Sequence, residues 1–111
     1  MKIREVTEAL SLSHFTGPTN EDQEVAGAYV SDLLSDVMAN CPEGGLWITL
    51  QTHVNIVAVA SMRKIPAIIL INGRKPEEPT LKKAAAEGIA LLGTSEHAFE
   101  VAGKLYALLR R

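Results

Sequence analysis

Hydrophobic residues divide the chain into short segments of two different periodicities. Apolar runs predict four β-strands, at residues 25–30, 46–50, 67–71 and 89–93. Apolar residues at helical spacing predict five helices, at residues 1–12, 33–40, 54–64, 80–87 and 96–111. Strands that alternate with helices form βαβ units, whose right-handed crossovers place helices on both faces of the sheet. We therefore expect an α/β fold, a three-layer α/β/α sandwich around a mostly parallel sheet of about five strands.

Proline and glycine mark several segment ends. Pro76 and Pro79 are expected to delay the fourth helix, and Gly88 is a typical residue just past its C-terminus. Asn72-Gly73 is a common turn dipeptide, because glycine tolerates positive φ. These residues predict a tight turn after the third strand and a sharp end to the helix that follows.

Polar residues follow the strands, and this places candidate ligand groups at one edge of the sheet. In an open α/β sheet, ligands bind beyond the carboxyl ends of the strands, against helix N-termini. The groups expected there are hydroxyls, amides, an imidazole and one cation, a set suited to a small anionic or nucleotide-like ligand. The predicted ligand-binding residues are Asp32, Thr52, His53, Asn55, Asn72, Gly73, Arg74, Thr94 and Ser95.

Each of these residues also has a purely structural interpretation. Helix N-capping by itself accounts for Ser31, Asp32, Thr52 and Ser95. Turn formation accounts for Asn72-Gly73, and Arg74 is an ordinary solvated side chain in this interpretation. His53 lies at a helix start, where the positive end of the dipole disfavours its charged form and a simple polar contact explains it.

Composition and charge exclude several function classes. The chain has 111 residues, 47% hydrophobic and 22% charged, as expected for a single globular domain over residues 1–111. A net charge of −2 without a basic track argues against a nucleic-acid partner. No apolar run approaches the ~20 residues that cross a bilayer, so we expect no membrane partner and a cytoplasmic location. The single cysteine, Cys41, cannot form an internal disulfide and is expected to be an inert thiol.

Motifs for catalysis are missing. The sequence contains no Gly-x-x-x-x-Gly-Lys-Ser/Thr, Gly-x-Ser-x-Gly, His-Glu-x-x-His or Gly-x-Gly-x-x-Gly motif. The three histidines, His14, His53 and His97, fall in unrelated segments. We therefore expect no catalytic residue, metal or cofactor, and keep a small enzyme that uses His53 and Asp32 as a minor alternative.

The second half of the chain carries a recognisable order of elements. LWITLQTHVNIVAVAS forms a strand, a polar turn and an alanine-rich helix. A strand that ends in a glycine turn comes next, followed by a helix, the Glu-Gly strand and the Thr-Ser pair that opens the last helix. These elements lie in AIILINGRKPEEPTLKKAAAEGIALLGTSEHAFEVAGKLY. Together they resemble the DRTGG domain, which is found in the regulatory region of long phosphotransacetylases and near nucleotide-binding regions of some pyrophosphatases, and is similar to the N-terminal region of HPr kinase. VSDLLSDVMANCPEGGLWITLQTHVNIVAVAS resembles the stand-alone branch and extends the likeness over nearly the whole chain.

The chain departs from this family at its characteristic motifs. Residues 51–53 are Gln-Thr-His where the family commonly has Gly-Asp-Arg, and Asn55 stands at a frequently acidic place. Residues 71–73 are Ile-Asn-Gly in place of Thr-Gly-Gly, so only Gly73 is retained. If the missing residues bind a ligand in relatives, this chain binds a different ligand or none.

The resemblance implies a regulatory or scaffolding domain, often dimeric, without catalytic activity. We therefore expect a homodimeric sensory module that binds a small anionic metabolite or nucleotide. The alternative is a protein–protein docking or scaffold subunit of a redox or signalling enzyme system, without a small ligand. Residues 54–62 are apolar nearly all round the predicted helix, so this helix is either buried inside the monomer or forms a dimer surface.

Overall fold

The computed structural model describes residues 1–110 and confirms the predicted α/β class. The strands are β1 (Ser13–His14), β2 (Ala28–Val30), β3 (Leu46–Thr49), β4 (Ala67–Leu70) and β5 (Ala90–Gly93). The helices are α1 (Ile3–Ala9), α2 (Leu34–Asn40), α3 (Asn55–Arg63), α4 (Glu78–Glu87) and α5 (Ala98–Leu109). The sheet has the order β1-β5-β4-β3-β2; β2 to β5 are parallel, and β1 is antiparallel to β5. The last residue of the predicted fifth helix, Arg111, lies outside the described residues.

The three central strands are buried on both faces, which explains why they are continuous apolar runs. One face packs against α1 and α5, and its largest strand residues are Leu46, Ile48, Ile69 and Leu92. The other face packs against α2, α3 and α4, and its largest strand residues are Trp47, Ile68, Leu70 and Leu91. Alternate residues of each strand therefore belong to opposite layers of the three-layer sandwich.

Helix α3 lies between α2 and α4 and packs against the sheet. Ile56, Val57, Val59 and Ala60 are buried there. Contacts with two helices and a sheet explain why the helix is apolar nearly all round. Its buried side chains are therefore accounted for within the monomer, whereas Met62 near its end is 72% exposed.

The edge strand β1 was not predicted. Ser13 and His14 are both exposed and give no apolar periodicity, so only their partners identify the strand. The Ser13 hydroxyl donates to the Gly93 carbonyl (3.2 Å), and the Phe15 N–H donates to the Leu91 carbonyl (2.9 Å). The predicted strand at 25–30 is also shorter, because only 28–30 pairs with β3.

The predicted start of the fourth helix was wrong. The helix α4 begins at Glu78 and has Pro79 in its first turn, where the missing proline N–H would be unpaired in any case. Gly88 does end this helix in the left-handed conformation, with φ 69°, as predicted.

The predicted N-cap residues were wrong for three helices. The N-cap positions are Leu33 for α2, Val54 for α3 and His97 for α5. Hydroxyl groups in two of these segments instead close short turns before the helix. The Ser31 hydroxyl accepts from the Leu33 N–H, and the Thr94 hydroxyl accepts from the Glu96 N–H, both at 3.2 Å.

Candidate functional site

The loops after β2, β3, β4 and β5 leave the sheet at one edge, which we call the carboxyl edge. Because these strands are parallel and in register, Leu70 lies between Thr49 and Gly93 at their ends. All the predicted ligand-binding residues lie in these loops or at the start of the helices that follow. Their hydrogen bonds distinguish the groups that hold the edge together from those that face solvent.

Asp32 ties the loop after β2 to the end of β3. Its Oδ1 accepts hydrogen bonds from the Thr49 hydroxyl and the Leu50 N–H, both at 2.7 Å. Its carbonyl accepts from the Gln51 side-chain amide at 3.0 Å. The carboxylate thus has a structural role that the sequence did not indicate, since its partners lie seventeen and eighteen residues further along the chain.

The loop between β3 and α3 carries Thr52, His53 and Asn55. The Thr52 carbonyl accepts from the Thr80 hydroxyl (2.7 Å) and the Glu77 N–H (3.2 Å), which binds this loop to the start of α4. The exposed His53 accepts the Asn55 N–H at Nδ1 (3.2 Å), so that nitrogen carries no proton in this arrangement. Within the described chain, His53 and Asp32 hydrogen-bond to different groups and not to each other.

The turn between β4 and α4 is tight and held by its neighbour. Asn72 and Gly73 are left-handed, with φ of 59° and 68°, and the Arg74 N–H donates to the Ile71 carbonyl (3.1 Å). A Cβ at Gly73 would meet no atom within 4 Å, so glycine serves the backbone conformation there. The N–H of Gly73 donates to the Thr94 carbonyl, and the N–H of Asn72 donates to the loop after β5, each at 2.9 Å.

The loop after β5 completes the edge. Thr94 is half-buried and Ser95 is exposed. Glu96 forms an ion pair with Lys104 of α5, whose ammonium group donates to both carboxylate oxygens at 2.9 and 2.8 Å. The loops that carry Thr52, residues 72–74 and Thr94 are thus neighbours along the carboxyl edge. Asp32 lies at the β2 end of the same edge.

Unpaired positive charge at this edge is concentrated on the turn after β4. Arg74 and Lys75 are exposed and form no ion pair within residues 1–110. By contrast, Lys104 is neutralised by Glu96. Glu77, the N-cap of α4, is the next carboxylate along the chain and is also exposed. The turn therefore offers two cations on a backbone that is fixed by its neighbours.

Three cavities lie away from the carboxyl edge. One of about 280 Å³ lies at the opposite edge, between Lys64 and Gly88 at the ends of α3 and α4. One of about 300 Å³ lies between β2 and α5, and another of about 300 Å³ lies beside it, between Met1 and the end of α5. A ligand at the carboxyl edge would therefore rest on a surface of loops and not in any of these cavities.

The apolar cavity between β2 and α5 was not predicted from the sequence. Its one sequence signal is the spacing of Phe99, Ala102, Tyr106 and Leu109, which repeats at intervals of three and four. Phe99 and Tyr106 are 86% and 65% exposed, so the helix has a second apolar face beside the buried one.

Within residues 1–110, no group of three or more His, Cys, Asp or Glu side chains is placed to hold a metal ion. None of the helices in this part of the chain has the length and apolar character needed to cross a membrane.

No family model matches the sequence, and no curated protein matches it either. A similar solved structure is the crystal structure of the CBS and DRTGG domains from the regulatory region of Clostridium perfringens pyrophosphatase, complexed with its activator diadenosine tetraphosphate. The TM-score is 0.69 at 14% sequence identity, and the match covers 94% of this chain and 45% of that chain. This likeness shows a DRTGG-like fold. The present chain thus spans less than half of that crystallised regulatory region.

Proposed function

We propose that this chain, as one DRTGG-like domain, is a non-catalytic regulatory or sensory module of the cytoplasm. It works as a homodimer and binds a small anionic metabolite or nucleotide at the carboxyl edge. The observation that carries the proposal is that Arg74 and Lys75 form no ion pair within residues 1–110 and follow a turn fixed by hydrogen bonds to the next loop. The pyrophosphatase region of similar fold was solved with a nucleotide activator, which favours this ligand class.

Arg74 is the residue expected to contact the anion. Its guanidinium group presents a planar fork of donors that matches phosphate oxygens. The backbone beneath it is already ordered by the Ile71–Arg74 turn, so binding costs less conformational entropy than on a mobile loop. His53, Asn55 and Ser95 are exposed on neighbouring loops and are proposed to contact the rest of the ligand.

The test is a thermal-shift screen against adenine nucleotides, nicotinamide cofactors, acyl phosphates and common phosphorylated metabolites. A ligand that binds only the folded state at a hundred times its Kd adds about 2.7 kcal/mol of stability. For a domain of this size that raises Tm by about 10 °C. We expect such a rise with one compound class.

Arg74→Ala is expected to remove the rise, because it removes the anion contact and leaves the backbone turn intact. The matched control is Lys82→Ala, which removes an exposed cation of α4 whose only ion pair among the described residues is with Glu78. If the shift persists in Arg74→Ala, the binding site does not lie at this turn. If none of the compounds raises Tm, the tested ligand classes are excluded.

The second candidate is a docking or scaffold subunit without a small ligand. The observation that favours it is a set of exposed large apolar side chains: Val30, Leu33, Met62, Phe99 and Tyr106. A docking subunit predicts no thermal shift with any metabolite and a clear shift with its protein partner. The minor alternative of an enzyme predicts turnover that His53→Ala abolishes while the fold is retained.

A further inference from the structure

The outer edge of β2 has unpaired backbone groups. β2 is the last strand of the sheet. The Gly27 carbonyl and the Ser31 N–H both bond to β3, at 2.9 and 3.2 Å. Because alternate residues of a strand bond to opposite sides, the N–H and C=O groups of Ala28 and Val30 point away from the sheet. They form a short template for another strand.

Apart from its short length of three residues, this edge lacks the features that normally protect an open edge. Edge strands usually carry charges, proline or a bulge that prevent further pairing. The β2 sequence is Ala-Tyr-Val, and Val30 is 47% exposed. At the opposite edge of the sheet, β1 is only two residues long and contains His14. The unprotected β2 edge is therefore the one expected to be covered by a partner.

Helix α5 adds an apolar face beside this edge. Phe99, Ala102, Tyr106 and Leu109 have the spacing of three, four and three residues that is typical of a helix–helix contact. Phe99 is 86% exposed and Tyr106 is 65% exposed, whereas the adjacent face of α5, with Val101 and Leu105, lies in the core. Gly103 lies beside this row, and a Cβ there would meet no atom within 4 Å. Glycine destabilises a helix interior, and packing within residues 1–110 leaves room for a larger residue at this position.

The strand edge and the helix face form one continuous surface. The apolar cavity of about 300 Å³ between them is lined by Ala28, Val30, Ala102, Tyr106 and Leu109, among others. We call the β2 edge, this cavity and the exposed row of α5 the β2–α5 surface. Its one charged lining residue, Arg110, lies over the Tyr106 ring at 5.2 Å.

We propose that the β2–α5 surface is the contact between two copies of this chain. The two β2 strands pair in antiparallel orientation about a twofold axis at Tyr29, so that Ala28 of one copy lies opposite Val30 of the other. This register satisfies every outward backbone group of both strands. The proposal rests on the dimer in the proposed function and adds its surface; it does not depend on the ligand.

Self-complementarity favours a second copy over an unrelated peptide. The twofold axis also brings the two α5 helices together in antiparallel orientation. A contact centred between Ala102 and Gly103 places Phe99 of one copy against Tyr106 of the other, with small residues where the helices approach most closely. An extended peptide would pair with β2 and leave the exposed row of α5 uncovered.

The exposed aromatic side chains of α5 supply a substantial share of the area that a dimer buries. A standard interface buries about 800 Å² of each partner. This is a modest part of the 5705 Å² surface of the chain. The exposed parts of Phe99 and Tyr106 supply about 300 Å² of it, judged from the surface that aromatic side chains bury. The strand edge and the cavity lining supply further apolar area.

The experiment measures the mass of the full chain by sedimentation equilibrium. We expect a dimer for the native sequence and at least a ~100-fold increase in dissociation constant for Phe99→Glu/Tyr106→Glu, because buried aromatic anchors dominate interface affinity. Both side chains are mostly exposed in the monomer, so far-UV circular dichroism should show an intact fold. The matched control is Met62→Glu, which places the same charge at a 72% exposed apolar residue of α3. It should remain dimeric.

A second measurement tests the strand register. In the proposed pairing the two Tyr29 residues face each other across a Cα–Cα distance of about 4.5 Å, which a disulfide can span. Tyr29→Cys should therefore form a covalent dimer on mild oxidation. The native chain is the control, because its only cysteine, Cys41, is buried.

Several results would overturn the proposal. A native chain that is monomeric at high micromolar concentration excludes a second copy as the partner. A dimer that survives the double glutamate variant, or that Met62→Glu dissociates, places the interface elsewhere. A dimeric Tyr29→Cys variant that does not cross-link overturns the strand pairing. If the chain is a stable dimer and no metabolite raises its Tm, only the proposed ligand binding is refuted. If the chain is a monomer whose Tm rises with a metabolite, only the proposed interface is refuted.

Discussion

Asp32 is predicted to stabilise the fold whether or not it contacts a ligand. In the structure, its Oδ1 accepts from the buried Thr49 hydroxyl and from the Leu50 N–H, each at 2.7 Å. Asp32→Ala removes both acceptor interactions and leaves the hydroxyl proton of Thr49 without its partner. Asp32→Asn keeps a neutral acceptor oxygen at the same position.

The expected loss for Asp32→Ala is about 2 kcal/mol. A hydrogen bond to a charged group contributes about 1.5–3 kcal/mol when it is well shielded from water. The carboxylate of Asp32 is exposed, so the two bonds together should contribute near the lower end of that range. A loss of 2 kcal/mol lowers Tm by about 8 °C for a domain of this size. We expect Asp32→Asn to lose about half as much.

Urea unfolding followed by tryptophan fluorescence measures this directly. Trp47 is the only tryptophan, is fully buried on β3, and donates to the Ser31 carbonyl beside Asp32 at 2.8 Å. The matched control is Glu43→Ala, which removes an exposed carboxylate in the loop before β3 and should change stability by less than about 0.5 kcal/mol.

The reasoning would be refuted if Asp32→Ala were as stable as the Glu43→Ala control. A variant that kept full stability but lost a metabolite-induced thermal shift would instead assign Asp32 to ligand binding. The two roles are therefore distinguished by measuring both quantities on the same variant.

Three further predictions concern packing, ionisation and reactivity. Gly93→Ala should cost about 1–3 kcal/mol in urea unfolding, because the new Cβ would lie 2.5 Å from Cε2 of Phe15, and adding Phe15→Ala should recover part of the loss. Tyr29→Phe should raise the pKa of Asp36 in an NMR titration, because the Tyr29 hydroxyl (2.8 Å) is the main cause of its lowered value. Because the pKa of Asp36 is lower in the folded state, its carboxylate stabilises the fold at pH values above its unfolded pKa. This stabilisation is lost as the pH falls through the folded pKa. The loss of stability on acidification should therefore be smaller in Tyr29→Phe. Burial raises the pKa of the Cys41 thiol to about 11, so alkylation monitored by mass spectrometry should be slow in the native protein at neutral pH and fast in urea.

The buried strands and the α/β class could be predicted from local sequence. Residues 46–50, 67–71 and 89–93 are uninterrupted apolar runs because helices cover both faces of the sheet. Their order along the chain, alternating with helices, then requires parallel strands whose carboxyl ends share an edge. The sequence therefore placed the candidate ligand residues of the last three loops at the same edge as the structure does.

Hydrogen bonds between distant residues could not be predicted in this way. The acceptor role of Asp32 depends on the position of β3, and the strand β1 is defined only by its pairing with β5. Capping and strand propensities describe local preferences, whereas these bonds depend on which backbone groups the sheet leaves unpaired.

The β2–α5 surface shows the same division most clearly. The sequence determined the apolar spacing along α5 and the absence of charge in 28–30, both of which are visible as local patterns. Only the tertiary structure decided that β2 is the outermost strand and that α5 lies beside its open edge. The physical reason is that periodicity shows which side chains avoid water, while the partner that covers them is chosen by packing between segments far apart in the chain.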